Sequence, residues 1–191
     1  MSDLTVDQGT NFGTWTDETS RWMYHDSLKL LIDNGAIDLR GTVTDYGGAN
    51  GVLKKYVKNS VVTVDSDPTK QPDVVDDILR HAVWRNTGFC RYVMHYLTDQ
   101  QVIQFCDNAA VGTLYIVQFV NEDLRAKYAA SINETKYFRT QDQLEALLPR
   151  HASLMFAKNY TVTKEFYRNR LNNPNAKAHG ERLVVYEIRN S

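Results

Sequence analysis

Short apolar runs alternate with segments of helical apolar spacing along the first two thirds of the chain. The runs are rich in β-branched residues, which suits parallel strands that are buried on both faces. They predict five strands, at residues 42–45, 60–65, 74–75, 88–91 and 113–119. Strands that alternate with helices predict an α/β fold, in which a mostly parallel sheet carries helices on both faces.

Capping residues and turn residues bound the predicted helices. Thr98 and Thr140 each precede a set of apolar residues at helical spacing, and Asn34-Gly35 ends a helix over residues 21–33. A further helix is predicted after the glycine turn, on the apolar residues Val52, Leu53, Tyr56 and Val57. Residues 79–87 predict a helix or a turn.

The last third of the chain has a different pattern. Residues 160–168 and 183–187 alternate between apolar and polar positions, and the turn-rich Asn172-Asn173-Pro174-Asn175 lies between them. This predicts a long antiparallel hairpin after the parallel strands. Residues 1–20 are polar and predict an extended leader.

Composition favours one globular domain over residues 1–191. Apolar residues make up 42% of the chain, which is ample for one buried core. No apolar run approaches the ~18 residues of a membrane span, and the N-terminus lacks the basic and apolar regions of a secretory signal. Cys90 and Cys106 lie on predicted core elements, so we expect reduced thiols. These features predict a cytoplasmic protein that does not enter a membrane.

Charge is unevenly distributed, although the net charge is only −1. Residues 150–189 contain eight Lys and Arg against three Glu, a net of +5, which leaves −6 for the rest of the chain. The basic segment could receive an anionic substrate, or RNA or another polyanion. The alternative is that these charges are the solvated faces of the hairpin.

A glycine turn lies between the first two predicted strands. The sequence Val43-Thr44-Asp45-Tyr46-Gly47-Gly48-Ala49-Asn50-Gly51 leads to a strand that ends at Asp65, 18 residues after Gly47. Such a turn lets a ligand approach the backbone, and an acid at the end of the next strand can accept both hydroxyls of a ribose. The pattern predicts a nucleotide-type pocket, although the spacing departs from the G-x-G-x-x-G fingerprint of dinucleotide folds.

The turn resembles motif I of the class I S-adenosylmethionine (SAM) methyltransferases, in which an acid such as Asp45 precedes the glycines by two positions. The likeness continues in order through residues 40–150, at Asp76-Asp77-Ile78, 89–99, 112–117 and 137–140. Small-molecule O-methyltransferases are the most similar in these motifs. The resemblance implies a Rossmann-like sheet with an antiparallel C-terminal hairpin. It also implies a helical lid segment at 1–38, a cofactor-binding half at 40–120, and a substrate-side helix and hairpin at 121–191.

The resemblance implies that SAM, and its product S-adenosylhomocysteine (SAH), bind at the carboxyl ends of the first four strands. The implied cofactor residues are Asp45, Gly47, Gly48, Ala49, Gly51, Asp65, Ser66, Asp77, Ile78, Cys90 and Arg91. Asp65 would hold the ribose hydroxyls, Asp45 would orient the turn or meet the amino group, and Asp77 would pair with the adenine. The alternative for Asp77 is a helix N-cap.

His95 is the candidate catalytic residue, because it matches the general base of the O-methyltransferases in a His-x-aromatic/Leu-x-Asp segment. Its alternative is a structural or substrate-lining role. Those enzymes orient the histidine with an acid at the end of the fifth strand, where this chain has Gln118, with Glu122 nearby. Glutamine can hold a histidine by a hydrogen bond but stabilises its cation less well.

Three functions follow from these observations: a small-molecule methyltransferase, a methyltransferase acting on RNA or another macromolecule, and a non-catalytic SAM-binding protein of the same fold. The five histidines lack paired spacing, so no metal site is predicted. The motifs of amino-methylating and cytosine-C5 DNA enzymes and the phosphate-binding loop are missing from the sequence. The larger O-methyltransferases pair through an N-terminal region that this short chain lacks, so we expect a monomer or a weak homodimer. Candidate acceptor-site residues are Trp15, Trp22, Tyr24, His25, Trp84, Arg85, Asn86, Tyr128, Tyr137, Phe138 and Arg139. The alternative is that they belong to the core.

Overall fold

The structure is a computed structural model. It describes residues 27–49, 51–81, 85–109, 111–120, 137, 139–162 and 179–189. The predicted leader, the first turns of the first helix and the tip of the hairpin lie outside these residues.

Seven strands form one sheet in the order β3-β2-β1-β4-β5-β7-β6. The strands are β1 (Val43–Tyr46), β2 (Val61–Asp65), β3 (Val74–Val75), β4 (Arg85–Arg91), β5 (Val111–Val120), β6 (Ser153–Val162) and β7 (His179–Arg189). Strands β1 to β5 pair in parallel, whereas β7 is antiparallel to both β5 and β6. The order and the antiparallel last pair confirm the Rossmann-like sheet predicted from the sequence.

Three α-helices lie in the described part of the chain: α1 (Ser27–Asp33), α2 (Asp99–Asn108) and α3 (Gln141–Glu145). Thr98 and Thr140 cap α2 and α3 as predicted, and each cap is a reciprocal capping box with a Gln three residues later. Three short 3-10 turns span Val52–Lys55, Pro68–Lys70 and Met94–Tyr96.

The core has two parts, one on each face of the sheet. One apolar cluster joins α2 and α3 to residues of β1, β4, β5 and β7, including Tyr46, Phe105, Leu114 and Leu144. The other joins α1 to the opposite face, through Leu28, Leu31, Phe89 and Leu183 among others. Both faces of the sheet are therefore covered, as expected for a largely parallel sheet.

The predicted helix after the glycine turn is wrong. Val52–Lys55 form a 3-10 turn, because Gly51 is left-handed and has no side-chain oxygen to cap a helix, and because Val52 and Val57 are β-branched. The apolar spacing instead serves packing: Val52 and Leu53 are buried, and Tyr56 and Val57 pack against the cluster that contains α1.

The boundary of β4 also differs from the prediction. The strand begins at Arg85 rather than at Gly88, so residues 85–87 are not part of a helix or turn. Arg85 is in register with Val111 and Thr87 with Thr113, and the Thr87 hydroxyl donates to the carbonyl of Arg40. These polar residues belong to the amino-terminal end of the sheet, where apolar periodicity gives no strand signal.

Candidate functional site

The carboxyl ends of five strands meet at one edge of the sheet. Tyr46 of β1 is in register with Val64 of β2 and with Cys90 of β4. Asp65 is in register with Val75 of β3, and Arg91 of β4 with Val117 of β5. The residues that follow these positions therefore share one rim, where ligands bind in open α/β sheets.

The glycine turn after β1 requires small residues. Gly47, Ala49 and Gly51 have positive φ angles of 68°, 47° and 71°. A Cβ on Gly47 would lie 2.5 Å from Cγ2 of Val93, and a Cβ on Gly48 would overlap the Asp45 carboxyl. The turn is therefore packed against its own strand and the β4 segment, which leaves its backbone close to the rim.

Asp65 holds the glycine turn to the end of β2. Its Oδ2 accepts the N–H of Ala49 at 3.2 Å, and its Oδ1 accepts the N–H of Asp67 at 2.9 Å. The ammonium of Lys70 lies 3.7 Å from Oδ1. The carboxylate is buried, with 7% of the residue exposed. Asp65 thus joins two loops of the rim in addition to any role in binding a ligand.

Asp45 is a buried acid directly beneath the turn. Burial is the main cause that raises its pKa from 3.8 to about 7, and the neighbouring Asp65 raises it further, whereas Arg91 and Lys54 oppose the shift. Within the described residues, no hydrogen bond reaches this carboxyl. Asp45 therefore keeps its proton at a pH well above the usual range of an aspartate, and a cationic ligand placed beside it would favour the ionised form.

Asp76 and Asp77 follow β3, and both are engaged with the adjoining backbone. Asp77 Oδ1 accepts the N–H of Leu79 at 2.9 Å, and its Oδ2 lies 3.7 Å from Nε of Arg80. Asp77 therefore caps the turn at residues 78–80, and the described residues after it form no helix of which it could be the N-cap. The N–H of Asp76 donates to the Asp65 carbonyl at 3.1 Å, which places this loop beside Asp65.

The remaining predicted cofactor residues show different degrees of exposure. Ile78 is half-buried against the core, and Ser66 is exposed. The Cys90 side chain lies in the core, and burial raises the pKa of its thiol well above the usual value. Only the Cys90 backbone is therefore suited to contact a ligand at the rim. The Arg91 guanidinium lies 5.3 Å from the centre of the Tyr92 ring.

His95 lies in the 3-10 turn after β4 and contacts the end of β5. Its Nδ1 is 3.2 Å from Nε2 of Gln118, so the predicted neighbour of His95 is confirmed. Gln118 Nε2 also donates to the Phe119 carbonyl at 3.2 Å. The N–H of Tyr137 donates to the His95 carbonyl at 2.7 Å, which fixes the backbone of the turn.

Arg139 supports the same turn from beneath, a role that the sequence did not reveal. Its guanidinium donates to the carbonyls of Met94 and Leu97, each at 2.7 Å, and to Oδ1 of Asp99 at 2.7 and 2.9 Å. A fifth hydrogen bond, at 3.2 Å, goes to the carbonyl of Tyr137. All five N–H groups of this buried arginine are used, so none is left to bind an acceptor.

Two other acceptor-site candidates lie far from the rim. Arg85 and Asn86 begin β4, at the amino-terminal end of the sheet, and Asn86 Oδ1 accepts the N–H and the hydroxyl of Thr42 at 3.2 Å. Their prediction as acceptor-site residues is wrong. Tyr137 is partly exposed near His95. The other candidates, namely Trp15, Trp22, Tyr24, His25, Trp84, Tyr128 and Phe138, lie outside the described residues, as does Glu122.

The described part of the chain contains no group of three His, Cys, Asp or Glu side chains arranged to hold a metal ion. None of its helices has the length and apolar character needed to cross a bilayer.

No protein-family model matches the chain, and no curated protein sequence matches it. Many solved structures nevertheless resemble it in fold. Magnesium protoporphyrin IX methyltransferase from Synechocystis PCC 6803, solved with SAH, has a TM-score of 0.60 and 12% identity over 96% of this chain and 94% of its own.

Two further structures give the same result. A SAM-dependent methyltransferase from Methanosarcina mazei has a TM-score of 0.58 and 11% identity over 84% of this chain and 98% of its own. Coclaurine N-methyltransferase, bound to N-methylheliamine and SAH, has a TM-score of 0.56 and 11% identity over 84% of this chain and 72% of its own. At these identities the likeness establishes the fold.

Proposed function

We propose that this chain binds SAM at the carboxyl ends of β1 to β4 and transfers its methyl group to a small-molecule acceptor. The observation that carries the proposal is the contact between Asp65 and the N–H of Ala49, which joins the acid after β2 to the glycine turn after β1. That contact lies in a sheet whose fold resembles that of methyltransferases solved with SAH.

The residues of the rim offer groups that suit an adenosyl cofactor. Gly47 and Gly48 let the turn pack closely against Val93 and the Asp45 carboxyl, and their backbone would face the cofactor. Asp65 would accept the ribose hydroxyls through lone pairs that its two backbone N–H bonds do not use. Asp45, buried and without a hydrogen-bond donor among the described residues, would pair with the cofactor's amino group directly or through water.

The adenine end of the site is assigned to the loop after β3. Ile78 would pack on the ring, and Asp77 would meet the exocyclic amino group. The capping contact to Leu79 uses Oδ1 of Asp77, so this second role would fall to Oδ2. Ser66 and the backbone of Cys90 and Arg91 would complete the rim on either side of the cofactor.

SAM supplies a methyl group on a cationic sulfur, which is transferred by in-line displacement. The contribution of this chain would be to hold the two reactants in line and to exclude water. The sequence also suggests a hydroxyl acceptor with His95 as general base. That form of the reaction would need a lone pair on His95 Nε2 facing the acceptor, and the contact between Gln118 Nε2 and His95 Nδ1 argues against it.

Calorimetric titration with SAH tests the proposed cofactor site. We expect Asp65→Asn to weaken SAH binding at least tenfold, because the amide loses acceptors for the ribose hydroxyls. Asp73→Asn is the matched control. Asp73 also accepts a backbone N–H, that of Thr63 at 2.7 Å, and also contacts a lysine, Lys54. Equal SAH affinity in the wild type and in Asp65→Asn would show that the ribose is not held there.

Two other functions remain to be separated by experiment. Methylation of RNA or another macromolecule would use the basic segment, of which residues 163–178 lie outside the described part. Incubation of cell extract fractions with labelled SAM distinguishes the acceptor classes, because a labelled small molecule supports the proposal and label in RNA or protein contradicts it. SAH binding without any methylated acceptor would favour the non-catalytic alternative.

A further inference from the structure

Gln118 is a buried amide whose orientation is fixed by its own backbone. Only 7% of the residue is exposed. One terminal atom of the amide lies 3.2 Å from the carbonyl oxygen of Phe119, which can only accept a hydrogen bond. That atom must therefore be the nitrogen, because an amide oxygen in its place would face another oxygen. Amide orientations are assigned from such networks, and here the carbonyl decides the assignment.

The same nitrogen lies 3.2 Å from Nδ1 of His95. Its two hydrogens thus serve two acceptors, the Phe119 carbonyl and the imidazole. An amide nitrogen cannot accept a hydrogen bond, so Nδ1 of His95 must offer its lone pair. The neutral ring then carries its only proton on Nε2. Protonation of both nitrogens would place an N–H at Nδ1 against the amide N–H, which disfavours the cation.

We propose that Gln118 is a positioning residue that holds His95 as the Nε2–H tautomer, so that His95 donates a hydrogen bond and does not act as the general base. The consequence for catalysis rests on the proposed methyl transfer. An acceptor in this site is then a nucleophile that needs no proton removed by His95, such as an unprotonated amine or an anionic oxygen. His95 Nε2–H would orient that acceptor through one of its hydrogen-bond acceptors.

The contacts that hold the turn around His95 agree with a positioning role for Gln118. The Tyr137 N–H holds the His95 carbonyl, and Arg139 holds the carbonyls of Met94 and Leu97 on either side. The ring also lies against Tyr96, with 4.1 Å between the ring centres. These contacts restrain the backbone of the turn and the plane of the ring. The contact with Gln118 sets the positions of the imidazole protons.

Nitrogen-15 NMR of the full chain tests the proposal without knowledge of the acceptor. The spectrum distinguishes Nδ1–H from Nε2–H imidazole, and His95→Gln identifies the His95 signals by their loss. We expect the Nε2–H tautomer in the wild type at neutral pH. In Gln118→Glu the carboxylate accepts from Nδ1, so we expect the Nδ1–H form or the cation. Nδ1–H in the wild type, or an unchanged tautomer in Gln118→Glu, would overturn the proposal.

If Gln118→Glu does not fold, Gln118→Met tests the same proposal. Gln118→Met removes the donor at Nδ1 while keeping the side-chain length. Loss of one hydrogen bond to the neutral ring is expected to raise the midpoint of His95 titration by up to about one pH unit. A midpoint that stays the same or falls contradicts the proposal. SAH titration on the same samples separates this outcome from failure of the proposed cofactor site, because the tautomer does not depend on SAH.

Discussion

Replacing Asp45 by Asn should make the ligand-free protein progressively more stable, relative to wild type, as the pH rises. The folded protein raises the pKa of Asp45 from 3.8 to about 7, so the fold favours the protonated acid. Below about pH 4 the acid is protonated in both states and no penalty exists. As the pH rises from about 4 to 7, the unfolded chain ionises first and stability falls.

The size of this effect follows from the two pKa values. A difference of one pH unit is worth about 1.36 kcal/mol, so the interval from 3.8 to about 7 corresponds to roughly 4 kcal/mol. Asn at position 45 is never ionised and avoids this penalty. A buried amide without a partner costs about 1–3 kcal/mol, but that cost is the same at every pH. The change in the mutational effect between pH 5 and pH 8 therefore isolates the ionisation.

Urea denaturation at several pH values measures this change. We expect the free energy of unfolding of Asp45→Asn, relative to wild type, to rise by about 2–4 kcal/mol between pH 5 and pH 8. Asp107→Asn, a substitution at an exposed acid in α2, controls for the loss of one charge and should change by less than about 0.5 kcal/mol. A pH-independent difference between Asp45→Asn and wild type would refute the reasoning that burial governs this acid.

Three further perturbations test the supports of the site. In urea titration, Arg139→Met should lower the free energy of unfolding by about 3–5 kcal/mol, because buried carbonyls lose their hydrogen-bond donors. The control is Arg80→Met, at a side chain that is 74% exposed, which should change the free energy of unfolding by less than about 0.5 kcal/mol. Gly47→Ala should lower the free energy of unfolding by about 2–4 kcal/mol, because the new residue would have a positive φ and its Cβ would collide with Val93. Gly35→Ala has a similar φ of 65° but no atom within 4 Å of the new Cβ, so it should cost only about 1 kcal/mol. Equal losses in the two variants would exclude the packing contribution. Thr98→Ala should cost about 1 kcal/mol through loss of the α2 cap, as measured by thermal unfolding, and an unchanged melting temperature would contradict that role.

The sequence predicted an element correctly where its local pattern is compatible with only one kind of backbone structure. The β-branched run at residues 61–65 has no alternative to a buried strand, and Thr98 with Gln101 forms a capping box that is legible in the sequence. The turn at Val52–Lys55 was predicted as a helix because apolar spacing reports which residues face the core and not which backbone presents them.

The candidate site was predicted less completely, because its supports join distant parts of the chain. The position of Asp65 at the end of β2 was predicted from the sequence, and so was the proximity of Gln118 to His95. Nothing near Arg139 in the sequence shows that its partners are the carbonyls of Met94 and Leu97, more than forty positions earlier. The burial of Asp45 and its resulting pKa likewise depend on the assembled sheet and cannot be found in the motif alone.

The position of β7 within the sheet has a consequence for how this protein is made. Because β7 fills the gap between β5 and β6 although it comes after both along the chain, the ribosome releases β5 well before its neighbour on that side exists. Until then β5 presents an open row of backbone hydrogen-bonding groups, which is the template on which strands from other molecules add. Misassembly during synthesis should therefore concentrate at β5, and chaperones that shield strand edges should raise the yield of this chain.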